Sequence, residues 1–457
     1  MLSTKLGACP EHTDPSLMCG TVTVYENPLT QTGRTINLNV TVIPALKGNI
    51  SKEPIFWFDG GPGIAATKGA VFYADGRNRY RREHDIVLVD VRGTGKSNPL
   101  NCNALQTKEG LEAHFRELYP STTVRECYES LSAIADLTQY NTTNIAHDIE
   151  AVRQYLEYDK INLYGLSYGS RVAQVYMKMY PEAVHSSVLW SPISTEHKVP
   201  IYHAQFAQES IERLFIDCTQ DQICNSAYPT FRQEFLTLQR LGEEGPFEYT
   251  RLNEAGDEET LSIPWHAFKN KIRDLMNVPL GLRQIPYLVN QAYHGNFSPF
   301  ISLFPAEATY NDYMALGLYL SITCTEDHPF IDPEYAAYLS ANTFLGNYRV
   351  EQLMQACNQW TQGTVPDDFS KPLVSDIPTL VLSGHFDPIT PPALGEEIVK
   401  TLSQSFLVTI PYMSHTFEGL SNDDCFDKMV LEFMDRPARR PDTSCIDLMV
   451  PVAYRTQ

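Results

Sequence analysis

Gly165-Leu166-Ser167-Tyr168-Gly169 sets a serine between two glycines, after an apolar run at 161–164 and before an amphipathic stretch at 171–179. A strand, a sharp turn and a helix are what a serine needs to hold its Oγ clear of the backbone as a nucleophile. A hydroxyl is a weak nucleophile by itself: it needs a base, and the base needs a carboxylate to orient it. Two loops supply the pair. Asp387 stands in Gly384-His385-Phe386-Asp387-Pro388, past the apolar run 378–382, and His415 follows Tyr412-Met413-Ser414, past the run 406–410. Acyl transfer is the chemistry that such a set performs. A general base must be a neutral imidazole, so activity is expected to rise with pH through about 6 to 7. Of the other histidines considered, His147 reads as packed or solvated, and His385 is too near Asp387 to serve as its base.

The developing oxyanion requires backbone N–H donors. Tyr168, directly after the serine, offers one. Asp59-Gly60-Gly61-Pro62-Gly63 offers another, most naturally at Gly61, although such a run taken alone is more often a plain turn. A third glycine loop, Asp90-Val91-Arg92-Gly93-Thr94-Gly95-Lys96-Ser97, lacks the Walker A spacing and opens no dinucleotide fingerprint. Arg92 is read as a brace between loops, against the plainer alternative of a solvated turn arginine. No metal or cofactor is implied.

These motifs need a scaffold that brings distant segments together. Runs at 21–25 and 36–42 alternate with period two around a polar connection and read as a hairpin. Runs at 55–58 and 86–89 each end at an aspartate and break into glycines. Residues 143–157 carry apolar side chains at helical spacing, with Thr143 or Asn144 available as N-cap. Strand then alternates with helix through 190, the signature of a mostly parallel sheet covered on both faces. From about 194 to 371 that alternation stops, and helices at 206–214, 231–241 and 266–275 dominate. It resumes with strands at 378–382 and 406–410, the intervening helix 393–402 and a last helix at 425–434. The expected organisation is therefore a core of residues 1–193 and 372–457, interrupted by a mostly helical cap of residues 194–371. The order serine, aspartate, histidine on loops after strands is that of an α/β-hydrolase.

Gly60-Gly61-Pro62-Gly63, Asp90-x-Arg92-Gly93-x-Gly95-x-Ser97 and Gly165-x-Ser167-Tyr168-Gly169 together resemble the serine peptidases of the prolyl aminopeptidase group, and most of all their exported tripeptidyl relatives. The resemblance spans roughly residues 9–446. It implies the α/β-hydrolase fold with a helical cap, Ser167, Asp387 and His415 as the triad, and release of residues or short peptides from a free N-terminus. Two departures stand out: Asp59 replaces the usual Asn or His before the glycines, and the late cap carboxylate is Glu326, followed by Asp327, where relatives carry aspartate. An amine-reading exopeptidase in a covered site needs a carboxylate for the substrate ammonium. Glu326 and Asp327 are the candidates, with Glu209 and Glu212 behind them. The rival reading is a carboxylesterase or lipase with the same triad and an apolar acyl pocket, for which Phe297, Phe300 and Phe304 are available. A non-catalytic binding protein on the same scaffold is disfavoured by the intact set of Ser167, Asp387 and His415.

The whole composition bounds these readings. The 457 residues carry 35 Lys plus Arg against 55 Asp plus Glu, a formal net charge of −20, which argues against nucleic acid as the partner. No run of 18 apolar residues predicts a membrane span. Ten cysteines with short sequential gaps suggest five local disulfides, Cys9–Cys19, Cys102–Cys127, Cys218–Cys224, Cys324–Cys357 and Cys425–Cys445, although other pairings or free buried thiols fit the count too. Disulfides imply a secreted or periplasmic protein. The opening residues show no signal-peptide core, so export implies a leader already removed. Three sequons, at Asn39, Asn141 and Asn296, are short patterns that arise often by chance.

Overall fold

The computed structural model describes residues 5–10, 14–47, 52–252, 256–304, 307–309 and 314–457, with the side chains of 106–109 and 307–309 left aside. Its centre is a nine-stranded sheet. From one edge the order is Gly7–Ala8, Met18–Tyr25, Thr35–Ile43, His84–Val89, Lys52–Phe58, Ile161–Leu166, Val184–Trp190, Thr379–Gly384 and Ser405–Ile410. The first four strands pair antiparallel and the remaining neighbours pair parallel. The expected hairpin is present in register, Met18 facing Val42 and Tyr25 facing Thr35.

Successive residues of the central strands point to opposite faces, and each face has its own core. Val381 packs with Phe56, Val87 and Leu163 on one side, while Leu380 and Leu382 pack with Ile55, Leu88 and Tyr164 on the other. Such runs are apolar throughout because parallel strands are covered on both faces. The helix Thr142–Tyr155 covers the first face. Its N-cap is Asn141, whose side chain accepts the N–H of Asn144, so the cap lies just before the two residues expected from sequence. The helix after Ser167, Tyr168–Met179, begins earlier than its amphipathic run indicated.

The insertion holds the helices His203–Gln220, Phe231–Glu244 and Trp265–Leu275, which enclose a separate apolar core. It also contains a β-hairpin, Phe247–Leu252 against Glu258–Ile263, which the helical reading did not include. Its later helix Leu316–Glu326 is different again. Leu318, Leu320 and Ile322 pack into the sheet's own core, so this helix is rooted in the body of the molecule while its end reaches the site. All five proposed disulfides form. Among the described residues no helix is long and apolar enough to cross a membrane. Two of the sequon asparagines are committed elsewhere: Asn141 is buried as a cap, and Asn39 donates to Asp90 at 2.9 Å.

Candidate active site

Every loop singled out for chemistry leaves the carboxyl end of a parallel strand. The Gly60–Gly63 loop follows Lys52–Phe58 and the Asp90 loop follows His84–Val89. Ser167 follows Ile161–Leu166, Asp387 follows Thr379–Gly384, and His415 follows Ser405–Ile410. Strand ends of an open α/β sheet form a crevice there.

Ser167 has φ 55° and ψ −122°, a backbone conformation that L residues adopt only under constraint. Its N–H donates to Trp190 O at 2.9 Å, and its carbonyl accepts from Ser170 N at 2.9 Å, which holds the turn from both sides. A side chain at Gly169 would run into the carbonyl of Phe58, so the helix after Ser167 approaches the neighbouring strand as closely as backbone allows.

Asp387 is 0% exposed, and its Oδ2 lies 2.8 Å from His415 Nδ1. The other oxygen accepts the N–H groups of Ile389 and Thr390, both at 2.8 Å. Burial alone would disfavour this charge; the facing His415 and the two N–H donors outweigh it and hold the carboxyl below its ordinary value. The pair is braced by two residues that sequence reading passed over. Thr390 Oγ1 lies 2.8 Å from Asp387 Oδ2 and 2.9 Å from Ser191 O. Ser191 Oγ donates to His415 O at 2.7 Å. A threonine three residues after the aspartate was the available signal, since such hydroxyls commonly close local turns. His385 is exposed at the surface and His147 bonds Tyr180 OH at 2.6 Å, so neither joins the site.

Ser167, His415, Tyr168 and Gly61 line one cavity of about 530 Å³ between the strand ends and the cap. Gly60 backs directly onto the nucleophile: a Cβ there would lie 3.0 Å from Ser167 Cβ and 3.4 Å from its Oγ. Gly63 O accepts the N–H of Ala315 at 2.9 Å, fastening this loop to the start of the helix Leu316–Glu326. Asp59 is half-buried and takes the indole N–H of Trp57 at 3.0 Å; burial raises its carboxyl, and the nearby charge of Asp90 adds to the rise.

Asp90 and Arg92 form the supporting layer. Asp90 accepts from Thr67 N at 3.0 Å, Asn39 Nδ2 at 2.9 Å and Lys96 N at 3.1 Å. Arg92 is fully buried, makes a bidentate pair with Asp148 at 2.7 Å on both arms, and donates to Glu26 O and Gln139 O. The solvated-turn alternative for Arg92 is thereby excluded.

The carboxylates expected to take a substrate amine separate from one another. Glu326 does not face the cavity. Its Oε1 accepts the N–H of Thr142 at 2.5 Å and its Oε2 the hydroxyl of Thr142 at 2.8 Å, satisfying the start of the helix Thr142–Tyr155. Asp327 does line the cavity, and there it pairs with Arg171 at 3.2 Å. Arg171 also lies 3.6 Å from Glu326 and donates to His197 O at 2.7 Å. Glu209 and Glu212 are engaged with Arg213 and Arg232 and stay outside the cavity. Phe297 and Phe300 are buried in the cap's core with Phe304 against them, and none of the three lines this cavity.

Residues 54–417 match the model of the family described as alpha/beta hydrolase fold. The protein YuaR of Escherichia coli K12 is 22% identical over 95% of this chain and 89% of its own length. Serine protease Hip1 of Mycobacterium tuberculosis is 23% identical over 82% of this chain and 77% of its own. A tripeptidyl aminopeptidase of Streptomyces lividans is 26% identical over 42% of this chain and 38% of its own.

Proposed function

The chain belongs to the α/β-hydrolase fold family and is a hydrolytic enzyme, and from that premise we propose that it works through an acyl-enzyme on Ser167. His415 takes the Ser167 proton as Oγ attacks the carbonyl, and Asp387 holds the imidazole and steadies the imidazolium that forms. The N–H groups of Tyr168 and Gly61 receive the oxyanion, each such donor being worth about 3 kcal/mol. His415 then protonates the leaving group, and water releases the acyl chain by the same path in reverse. The observation that carries this reading is the buried Asp387–His415 pair at 2.8 Å, opening into the cavity that holds a strained serine.

As substrate we propose peptides with a free N-terminus, from which residues or short peptides leave. Relatives named as a serine protease and a tripeptidyl aminopeptidase support it. An ester substrate is the second reading, favoured by one specific observation: Asp327 and Glu326 already have Arg171 and Thr142 as partners, which leaves neither carboxylate free for an incoming ammonium. Five disulfides support placement outside the reducing cytosol, secreted or periplasmic.

The test is a matched assay with peptide anilides one to three residues long, each with a free or acetylated N-terminus, beside short- and long-chain aryl esters. Ser167→Ala is the blank, and a fluorophosphonate reports the nucleophile. Turnover confined to free-amine peptides establishes the exopeptidase. Fast esters with poor peptides, blocked or free, hand the site to the esterase reading. An unlabelled Ser167 removes both.

A further inference from the structure

Two arginines of the insertion contribute to the cavity that holds Ser167. Arg273, from the cap helix Trp265–Leu275, and Arg349, from the helix Tyr348–Cys357, both line the cavity that holds Ser167 and His415. Arg273 is 6% exposed, and its one ion-pair partner among the described residues is Asp274 at 3.3 Å, a side chain 56% exposed to solvent. Arg349 is half-buried and has, among the described residues, one neutral acceptor, Asn270 Oδ1, at 3.4 Å. The Nε atoms of both arginines are buried without a hydrogen-bond partner among the described residues. His203, 8% exposed and lining the same cavity, has its Nδ1 likewise unpartnered.

Buried guanidinium groups are normally paired, because a desolvated charge without a counter-ion is costly. Among the cavity's described acids, Asp274 alone pairs with either arginine, and it does so from a largely exposed position. Asp327 is held by Arg171, and Glu418 is exposed and takes the hydroxyl of Thr416. The two arginines also burden each other: burial and the like charge of Arg349 bring Arg273 down to about 10. His203 is kept neutral, its pKa pushed well below the ordinary imidazole value by burial, then by Arg273, Arg349 and His415. The cavity that holds Ser167 and His415 is therefore lined by two guanidinium groups that are incompletely paired, an arrangement that an anion completes.

We propose that Arg273 and Arg349 form a carboxylate-reading subsite of the catalytic cavity, so that the preferred substrate carries a carboxylate close to the bond that is cut. The planar fork of a guanidinium matches a carboxylate through two parallel N–H donors, which is why arginine suits this task. The carboxylate can belong to a short peptide, as its C-terminus or an acidic side chain, or to the half-ester of a dicarboxylic acid. The subsite deepens the acyl-enzyme reading and rests on it for turnover, but not for binding.

The test therefore begins with binding. Glutarate and its neutral twin glutaramide are titrated calorimetrically into the full chain and into the Arg273→Gln and Arg349→Gln variants. Fluorophosphonate labelling of Ser167 checks that each variant is folded. Glutarate should bind the parent at least about tenfold more tightly than glutaramide, and either substitution should erase most of that difference. Equal binding of the two probes overturns the proposal, as does a preference that survives both substitutions. Turnover then separates the sources. Peptides ending in a free carboxylate are compared with their amides, Glu peptides with Gln peptides, and p-nitrophenyl hemiglutarate with its methyl ester. The favoured member of one pair should lose its advantage through KM when Arg349 is replaced. An unlabelled Ser167 with glutarate binding intact would sink the acyl-enzyme reading and leave the subsite standing.

Discussion

Arg171 sits one helical turn past Ser167, on the helix that the nucleophile begins, and its Nη1 lies 3.2 Å from Asp327 at the end of a cap helix. The same guanidinium lies 3.6 Å from Glu326. One buried cation therefore lies against two buried acids and ties the insertion to the helix that follows Ser167.

Removing that cation strands both acids. Arg171→Met is expected to cost roughly 3–5 kcal/mol of stability, the usual cost of breaking a buried pair from one side. The double variant Arg171→Met/Asp327→Asn should lose clearly less than the sum of its two single variants, because the stranded charge goes with its partner. Urea unfolding of the four proteins measures this. Strictly additive losses would show that the two residues do not act as a pair.

The triad's carboxylate has more holding it than the imidazole. Asp387→Asn should lower kcat by roughly 10⁴-fold, with the fold kept, because the amide favours the wrong imidazole tautomer. Thr390→Val removes the hydroxyl between Asp387 and Ser191 while leaving the backbone donors. The expected loss is about tenfold in kcat, the scale of one hydrogen bond to a charged group. Steady-state kinetics with urea unfolding as the folding control decides it, and an unchanged kcat in Thr390→Val would reduce the threonine to packing.

Strand and helix periodicity made the scaffold legible, since a sheet buried on both faces must write 55–58, 161–164 and 378–382 as continuous apolar runs. The loops carrying Ser167, Asp387 and His415 could be located because each follows such a run. What escaped was which way neighbouring polar residues turn. Glu326 and Asp327 are adjacent at a helix end, about 100° apart around its axis, and only the packed structure shows that one faces Thr142 and the other the cavity. Arg273 and Arg349 escaped for a different reason. Each is an ordinary charged residue on its own helix, and their common cavity exists only once the cap has folded over the sheet. The cap hairpin was missed because its strand Phe247–Leu252 buries only Phe247 fully, which leaves little apolar alternation to read.

Gly60 tests how tightly the nucleophile is packed. An alanine methyl there would sit 3.0 Å from Ser167 Cβ, tighter than ordinary contact, and the serine turn would have to shift. The shift needed is a few tenths of an ångström, well short of the roughly 1 Å that costs about 10²-fold, so a loss of several-fold to about tenfold is expected. Gly60→Ala should therefore lose about tenfold in kcat at most, with little change in melting temperature. Retained activity would mean that the loop yields and the serine does not.

Glu326 gives the protein a pH dependence with a definite sign. Burial lifts its carboxyl to about 7 from an ordinary 4.5, against the opposing pull of Arg171 and the Thr142 N–H. Between those values the folded protein keeps a proton that the unfolded chain has released, so stability falls as pH rises. The contribution is fully present below about 4.5 and gone above about 7, with a slope approaching about 1.4 kcal/mol per pH unit between. Asp387 works the other way: its lowered carboxyl stabilises the fold above its ordinary value of 3.8, and that contribution is lost only in stronger acid. The two windows therefore barely overlap. Urea unfolding of the wild type and Glu326→Gln at pH 5, 6 and 7 isolates the first, since all other titrations cancel in the difference. Glu326→Gln should gain on the wild type with each step up in pH. A difference that stays constant from pH 5 to 7 would mean that Glu326 is already ionised in the folded protein at pH 5, with Arg171 outweighing burial.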